Sequence, residues 1–229
     1  VSIVRPIWEY LVLRRLGRHS RLWLPARAPA LTFALGLTLV LGGCAGGLGG
    51  GLGGLGGKSP PTAYDLDAVH DFPRHGRSAR GQLAIAEPVA LAVYDGDKIV
   101  VRPSPGEAAV MAGVQWQDRL PKLMQARILQ SFENDGRLRA VGRPADKIAS
   151  DYVLTSEIRA FEISVSDHSA VVEIAAKIVG DRSGRIVAAR VFRATMPLDA
   201  TDGAPAIAAL DDAFGKVTRE LVLWTTRRV

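Results

Sequence analysis

Apolar residues recur with two distinct periods in the later part of this 229-residue chain. Ile207, Leu210, Phe214, Val217, Leu221 and Trp224 fall alternately three and four positions apart. That spacing draws one apolar stripe on a helix from about Pro205 to Arg227. Leu120, Leu123, Met124, Ile128 and Phe132 predict an earlier helix over Gln117–Asn134, with Pro121 tolerable only in its first turn and Asp135-Gly136 as its stop. Between the helices the period changes to two. Tyr152 to Val165 alternates, then shifts phase between Ala160 and Phe161, which predicts a bulge or bend inside a strand. Ala170–Val179 sets Val172, Ile174, Ala176 and Ile178 on one face against Glu173 and Lys177, and Arg185–Met196 follows as a third strand. Asp167-His168 and Asp181-Arg182-Ser183-Gly184 read as the two hairpin turns.

Shorter strands are expected at Gln82–Ala86, Ile99–Arg102, Glu107–Met111 and Leu138–Val141. The first is halted by Pro88 and the second by Pro103 and Pro105. Tyr64 to Arg80 reads as an irregular polar arm, and Val114-Gln115-Trp116 as a loop-like stretch before the first helix. The order of elements implies an α+β fold, with a mostly antiparallel sheet and two amphipathic helices packed on it.

Charge separates the chain into unequal parts. The formal net charge is +6, but Arg5, Arg14, Arg15, Arg18, Arg21 and Arg27 face a single acid, Glu9, within residues 1–43. The remainder is close to neutral, so it offers no global reason to bind nucleic acid. The basic start precedes an uncharged run from Ala30 to Leu41, the arrangement of an export signal. Twelve helical residues span roughly 18 Å, short of a hydrocarbon core of about 30 Å. Leu41-Gly42-Gly43-Cys44 resembles the lipobox of bacterial lipoproteins, and Cys44 is the expected lipid-attachment residue. Two or three acyl chains on that thiol would anchor the protein stably. The alternative is an uncleaved signal anchor with a free thiol. By the lipoprotein sorting rule, Ala45 in place of aspartate favours the outer membrane.

The expected organisation is therefore a signal peptide (1–43), a lipidated cysteine with a glycine-rich tether (44–63) and a folded domain (64–229). Gly46 to Gly57 is glycine broken only by Leu48, Leu52 and Leu55, and it behaves as a flexible coil. Gly57-Lys58-Ser59 mimics the end of a phosphate-binding loop. The motif needs a glycine five positions before Gly57, where the chain has Leu52, and a strand before that, where it has the export signal.

Candidate chemistry is sparse. One cysteine excludes an internal disulfide framework and a cysteine-based zinc cluster. Asp67, His70, Asp71 and His75 share the irregular arm and could in principle hold a metal, but solvated loop histidines are far commoner. His168 sits in a turn. There is no Gly-x-Ser-x-Gly elbow and no defensible acid–base pair. The reading is a non-enzyme with no cofactor. Arg102, Arg119, Arg127, Arg137, Arg139, Arg143, Arg182, Arg185, Arg190 and Arg193 read either as solvated strand edges or as a patch for anionic lipid heads or an acidic partner.

Several segments together resemble one family. Ile99-Val100-Val101-Arg102-Pro103-Ser104-Pro105 and Val114-Gln115-Trp116-Gln117-Asp118-Arg119-Leu120-Pro121 are similar to the ABC-type transport auxiliary lipoproteins. So are Leu129-Gln130-Ser131-Phe132-Glu133, Gly184-Arg185-Ile186-Val187-Ala188-Ala189-Arg190-Val191-Phe192, and Tyr64-Asp65-Leu66 as the start of the mature domain. The resemblance implies a helix-covered sheet and no catalytic residues. It also implies partners: an MCE-domain substrate-binding protein with an ABC permease and an ATPase, in intermembrane lipid transport. Val114, Gln115 and Trp116 are candidate partner contacts, with Trp116 either an exposed anchor or core. A ring or other homo-oligomer would match a symmetric MCE assembly. Two further readings stay open: a periplasmic protein carrying an acyl chain in its own cavity, and a structural outer-membrane lipoprotein.

Overall fold

A computed structural model describes residues 59–73 and 81–229. The leader, Cys44, the tether up to Lys58, and His75 lie outside the described residues.

The centre of the fold is a three-strand antiparallel meander of β8 (Tyr152–Ser164), β9 (Ser169–Gly180) and β10 (Ile186–Pro197). The other strands are β1 (Thr62–Tyr64), β2 (Gln82–Ile85), β3 (Val89–Ala90), β4 (Val100–Arg102), β5 (Ala109–Val110), β6 (Val114–Trp116) and β7 (Ala140–Gly142). The register of β8 shifts between Ile158 and Ala160, where the phase of its apolar residues changes. The bulge keeps Leu154 and Ile158 before it, and Phe161 and Ile163 after it, on the buried face.

The outer edge of β8 differs from a plain meander. There β2, β3 and β4 follow one another along β8, all parallel to it, and β7 extends β2 in parallel. The sequence predicts a mostly antiparallel sheet, and the long ladders are antiparallel. The short edge strands run parallel because the chain passes through α1 (Leu120–Asp135) before re-entering the sheet, and such a crossover returns a strand in the same direction. Of the expected strand Glu107–Met111 only β5 forms, pairing antiparallel with β4. The Val114–Trp116 stretch is strand rather than loop, held in parallel by β1.

The helix α1 begins with Pro121 in its first turn and ends on Gly136 at φ +64°, a left-handed cap that suits glycine. The last helix, α2 (Gly203–Thr226), buries its whole apolar stripe: Ile207, Leu210, Phe214, Val217, Leu221 and Trp224. Burying each such side chain contributes about 1.5–3 kcal/mol. The two helices share one core with the sheet, and Gln125 of α1 donates to the carbonyl of Ile85 in β2 at 2.8 Å. Aromatic rings connect the layers. Trp116 meets Phe161 edge-on at 5.7 Å, Phe161 meets Phe214 at 6.1 Å, and Phe192 meets Trp224 edge-on at 5.5 Å. No described helix is long and apolar enough to cross a membrane.

Candidate functional site

The arm after β1 has no regular structure, yet it is part of the fold. Leu66, Ala68 and Val69 are buried, and the arm lies against both helices. Ser131 of α1 accepts the Val69 amide at 2.9 Å while donating to the Arg127 carbonyl, and Asn134 donates to the Val69 carbonyl. Asp211 of α2 accepts the Asp67 amide at 2.8 Å. Arg127 pairs with Asp65, and the Arg219 guanidinium lies over the Phe72 ring. The segment that joins the domain to its expected anchor is thus strapped across α1 and α2.

Burial pushes the Asp211 carboxyl above the ordinary aspartate range, and the nearby charges of Asp67, Asp212 and Asp65 push the same way, against the bond from the Asp67 amide. His70 is the described histidine of this arm, and its Nδ1 accepts from Asn134 at 3.0 Å. Among the described residues no group of three or more His, Cys, Asp or Glu is arranged to hold a metal.

A second polar cluster fixes the sheet edge. On β8, Glu162 alternates away from Phe161 and Ile163. Arg102 of β4 donates Nε to it at 2.7 Å, and Tyr94 donates its hydroxyl to the same oxygen. Arg102 Nη2 also donates to the Tyr94 oxygen at 3.2 Å. Burial raises the Tyr94 phenol above its usual range, with Glu162 adding to the shift, so it stays a proton donor. Bonds to Glu162 and Tyr94 hold the Arg102 guanidinium more firmly protonated still. This triad pins the turn between β3 and β4 to the sheet. The sequence does not show it, because Tyr94, Arg102 and Glu162 are far apart along the chain. The one local hint is an arginine closing an apolar strand before Pro103.

The three expected contact residues behave differently. Trp116 is 1% exposed and belongs to the core, the second of the two readings its sequence leaves open, so it does not present an exposed anchor. The pairing of β6 with β1 turns the ring inward against Phe161. Val114 is half-buried against the same core, and Gln115 accepts from Lys98 at 3.2 Å. Apolar side chains face solvent in two places: Val89 (70% exposed), Leu91 (68%), Val93 and Val110 on β3, the following turn and β5, and Ile186, Val187 and Val191 on β10. Of the arginines, Arg102, Arg119, Arg127, Arg137, Arg190 and Arg193 are ion-paired, whereas Arg139, Arg143, Arg182 and Arg185 form no ion pair among the described residues.

The described residues offer surfaces and straps, and known proteins share this fold. A crystal structure of a Xanthomonas campestris protein shares 32% identity and a TM-score of 0.68, covering 73% of this chain and 96% of that one. A second crystal structure shares the fold at 13% identity and a TM-score of 0.56, covering 73% of this chain and 97% of the other. An uncharacterised protein of Bradyrhizobium diazoefficiens is 34% identical over 201 residues, covering 86% of this chain and 54% of that protein. The chain therefore spans about half the length of that curated relative. The family model for the ABC-type transport auxiliary lipoprotein component matches residues 64–222, from the last residue of β1 to the last turns of α2, and the chain belongs to that family.

Proposed function

We propose that this protein is a membrane-anchored, non-catalytic auxiliary component of an ABC/MCE-type intermembrane lipid transport system. Lipid on Cys44 would hold it at the periplasmic leaflet of the outer membrane. There it would dock the MCE-domain substrate-binding protein, whose partners are the permease and the ATPase. ATP is spent by that ATPase, and this chain supplies attachment and contact.

The observation that carries the reading is the family match over residues 64–222, which names an auxiliary lipoprotein of ABC-type transport. The interior supports an adaptor over a lipid carrier. The space between sheet and helices is filled by Leu83, Ile85, Phe161, Ile174, Leu210 and Phe214, each at most 1% exposed. A carrier needs an apolar cavity there, and the burial of these side chains against one another favours the adaptor. The exposed apolar side chains of β3, the following turn and β5 support docking at that edge. Val114 and Gln115, half-buried beside it, remain part of the proposed contact.

Reciprocal purification of the full-length lipoprotein and the MCE-domain protein from native membranes tests the reading. The two should copurify, and Leu91→Asp with Val110→Asp should weaken the association at least tenfold. Stoichiometric phospholipid extracted from the purified lipoprotein, without association, would favour the carrier instead.

A further inference from the structure

One end of the sheet gathers charges that the fold leaves unpaired. The hairpin between β9 and β10 carries Arg182 and Arg185, both exposed. The next strands end beside it: Tyr152 of β8 pairs with Gly180, and Leu83 of β2 pairs with Tyr152. One strand further, Arg139 precedes the Ala140 that pairs with Gln82. The end of α2 reaches the same place. A Cβ on Gly81 would stand 3.1 Å from the backbone of Val229 and 3.5 Å from the Tyr152 ring. An open depression of about 600 Å³ is lined by Arg182, Asp151, Ser183, Val187, Tyr152 and Val229, among others. Arg227 and Arg228, exposed, adjoin it.

Five arginines thus share one rim, and none forms an ion pair among the described residues. Arg228 donates to the Trp224 carbonyl and stacks on that ring; the others make no side-chain bond there. Two acids share this end, fewer than the arginines, and neither pairs with one of them. Asp151 accepts the Gln82 amide and Asp181 accepts the Ser150 hydroxyl.

The rim is also apolar. The ladder of β10 shifts register between Ile186 and Ala188, so two consecutive side chains, Ile186 and Val187, stand 59% and 50% exposed. In a regular strand one of them would face the helices. Cations beside a pair of exposed aliphatic side chains match the boundary of a phospholipid layer, where phosphates meet acyl chains. An acidic protein partner would satisfy the arginines but not explain the bulged pair.

From this arrangement we infer that the rim formed by Arg139, Arg182, Arg185, Arg227 and Arg228, with Ile186 and Val187, binds an anionic phospholipid surface. The contact is separate from the lipid on Cys44. The chain enters the domain through β1 and β6, where Trp116 meets Phe161, and Phe161 lies about 30 Å along β8 from Tyr152 at the rim. The inference rests on the anchored-lipoprotein reading for how the domain is presented.

Vesicle capture tests it. The full-length lipoprotein is reconstituted into phosphatidylcholine vesicles and offered a second, fluorescent population, either pure phosphatidylcholine or mixed with phosphatidylglycerol. Recovery of protein with the first vesicles reports the anchor, and capture of the second reports the rim, so the two fail separately. Only the phosphatidylglycerol vesicles should be captured, and added salt should weaken capture. Replacing Arg139, Arg182, Arg185 and Arg227 with Gln should cost about fivefold per charge. Lysine at the same four positions should retain most of the capture, and Ile186→Ser with Val187→Ser should reduce it with the charges intact. Arg159→Gln, on the middle of β8, should leave it unchanged. Equal capture of both lipid compositions, or full capture by the glutamine variant, would overturn the inference.

Discussion

The half of the domain built from β8, β9, β10 and α2 and the half built from the arm, β2 to β7 and α1 are held together by different physics. The first uses ladders of a dozen residues and one continuous apolar stripe. Its interior is aliphatic and aromatic, and its stability is spread over many equivalent contacts. The second uses strands of two to four residues that could not stand alone. It depends on particular polar contacts: Ser131 and Asn134 on the arm, Gln125 on β2, and Tyr94 with Arg102 on Glu162. Local periodicity builds the first half, and long-range pairing builds the second. Val89, Leu91 and Val110 expose apolar side chains in the second half, at its short strands, whereas the first half does so at the start of β10, where Ile186 and Val187 stand at a register shift.

The comparison makes graded predictions. Truncating the shared centre should cost most: Phe214→Ala is expected to destabilise by about 3–5 kcal/mol, read from denaturant unfolding. Trp116→Ala should cost about as much, because its ring joins the short-strand half to Phe161. A loss below about 1 kcal/mol would return Trp116 to the surface role the sequence allowed. Ser131→Ala should cost about 1–3 kcal/mol, since it strands the buried Val69 amide. Amide exchange should then speed up along the arm and leave β9 protected.

Asp211→Asn should have a smaller effect, and its sign depends on pH. The folded carboxyl binds its proton more tightly than the unfolded one, so this group's contribution falls as pH rises through the shifted range. Asparagine can still accept the Asp67 amide without the charge. The variant should therefore melt higher than wild type at neutral pH, and the advantage should vanish as pH drops below the ordinary aspartate range. Breaking the exposed Arg190–Glu220 pair should change stability least, by about 0–1 kcal/mol.

The same division explains what was legible in the sequence. The stripe of α2 and the phase change in β8 are written in residues that are neighbours along the chain, so both are legible there, including the bulge. Gly136 and Pro121 marked the ends of α1 for the same reason. The strands β1, β3 and β6 are not legible because two or three residues show no period, and what makes them strands is a partner far along the chain. Trp116 was ambiguous because burial is decided by β1 and Phe161, not by its neighbours. The Tyr94–Arg102–Glu162 cluster was invisible for that reason too. The arm was read as irregular, which it is, but its polar composition hid the burial of Leu66 and Val69. The arginines were visible as a list, and only the fold could sort the paired from the unpaired.

The account depends most on chemistry at a single sulfur. Radioactive palmitate fed to cells expressing the full chain should label the protein, and the label should disappear in Cys44→Ser. An unlabelled wild type, or a serine variant labelled to the same extent, would contradict the anchored adaptor.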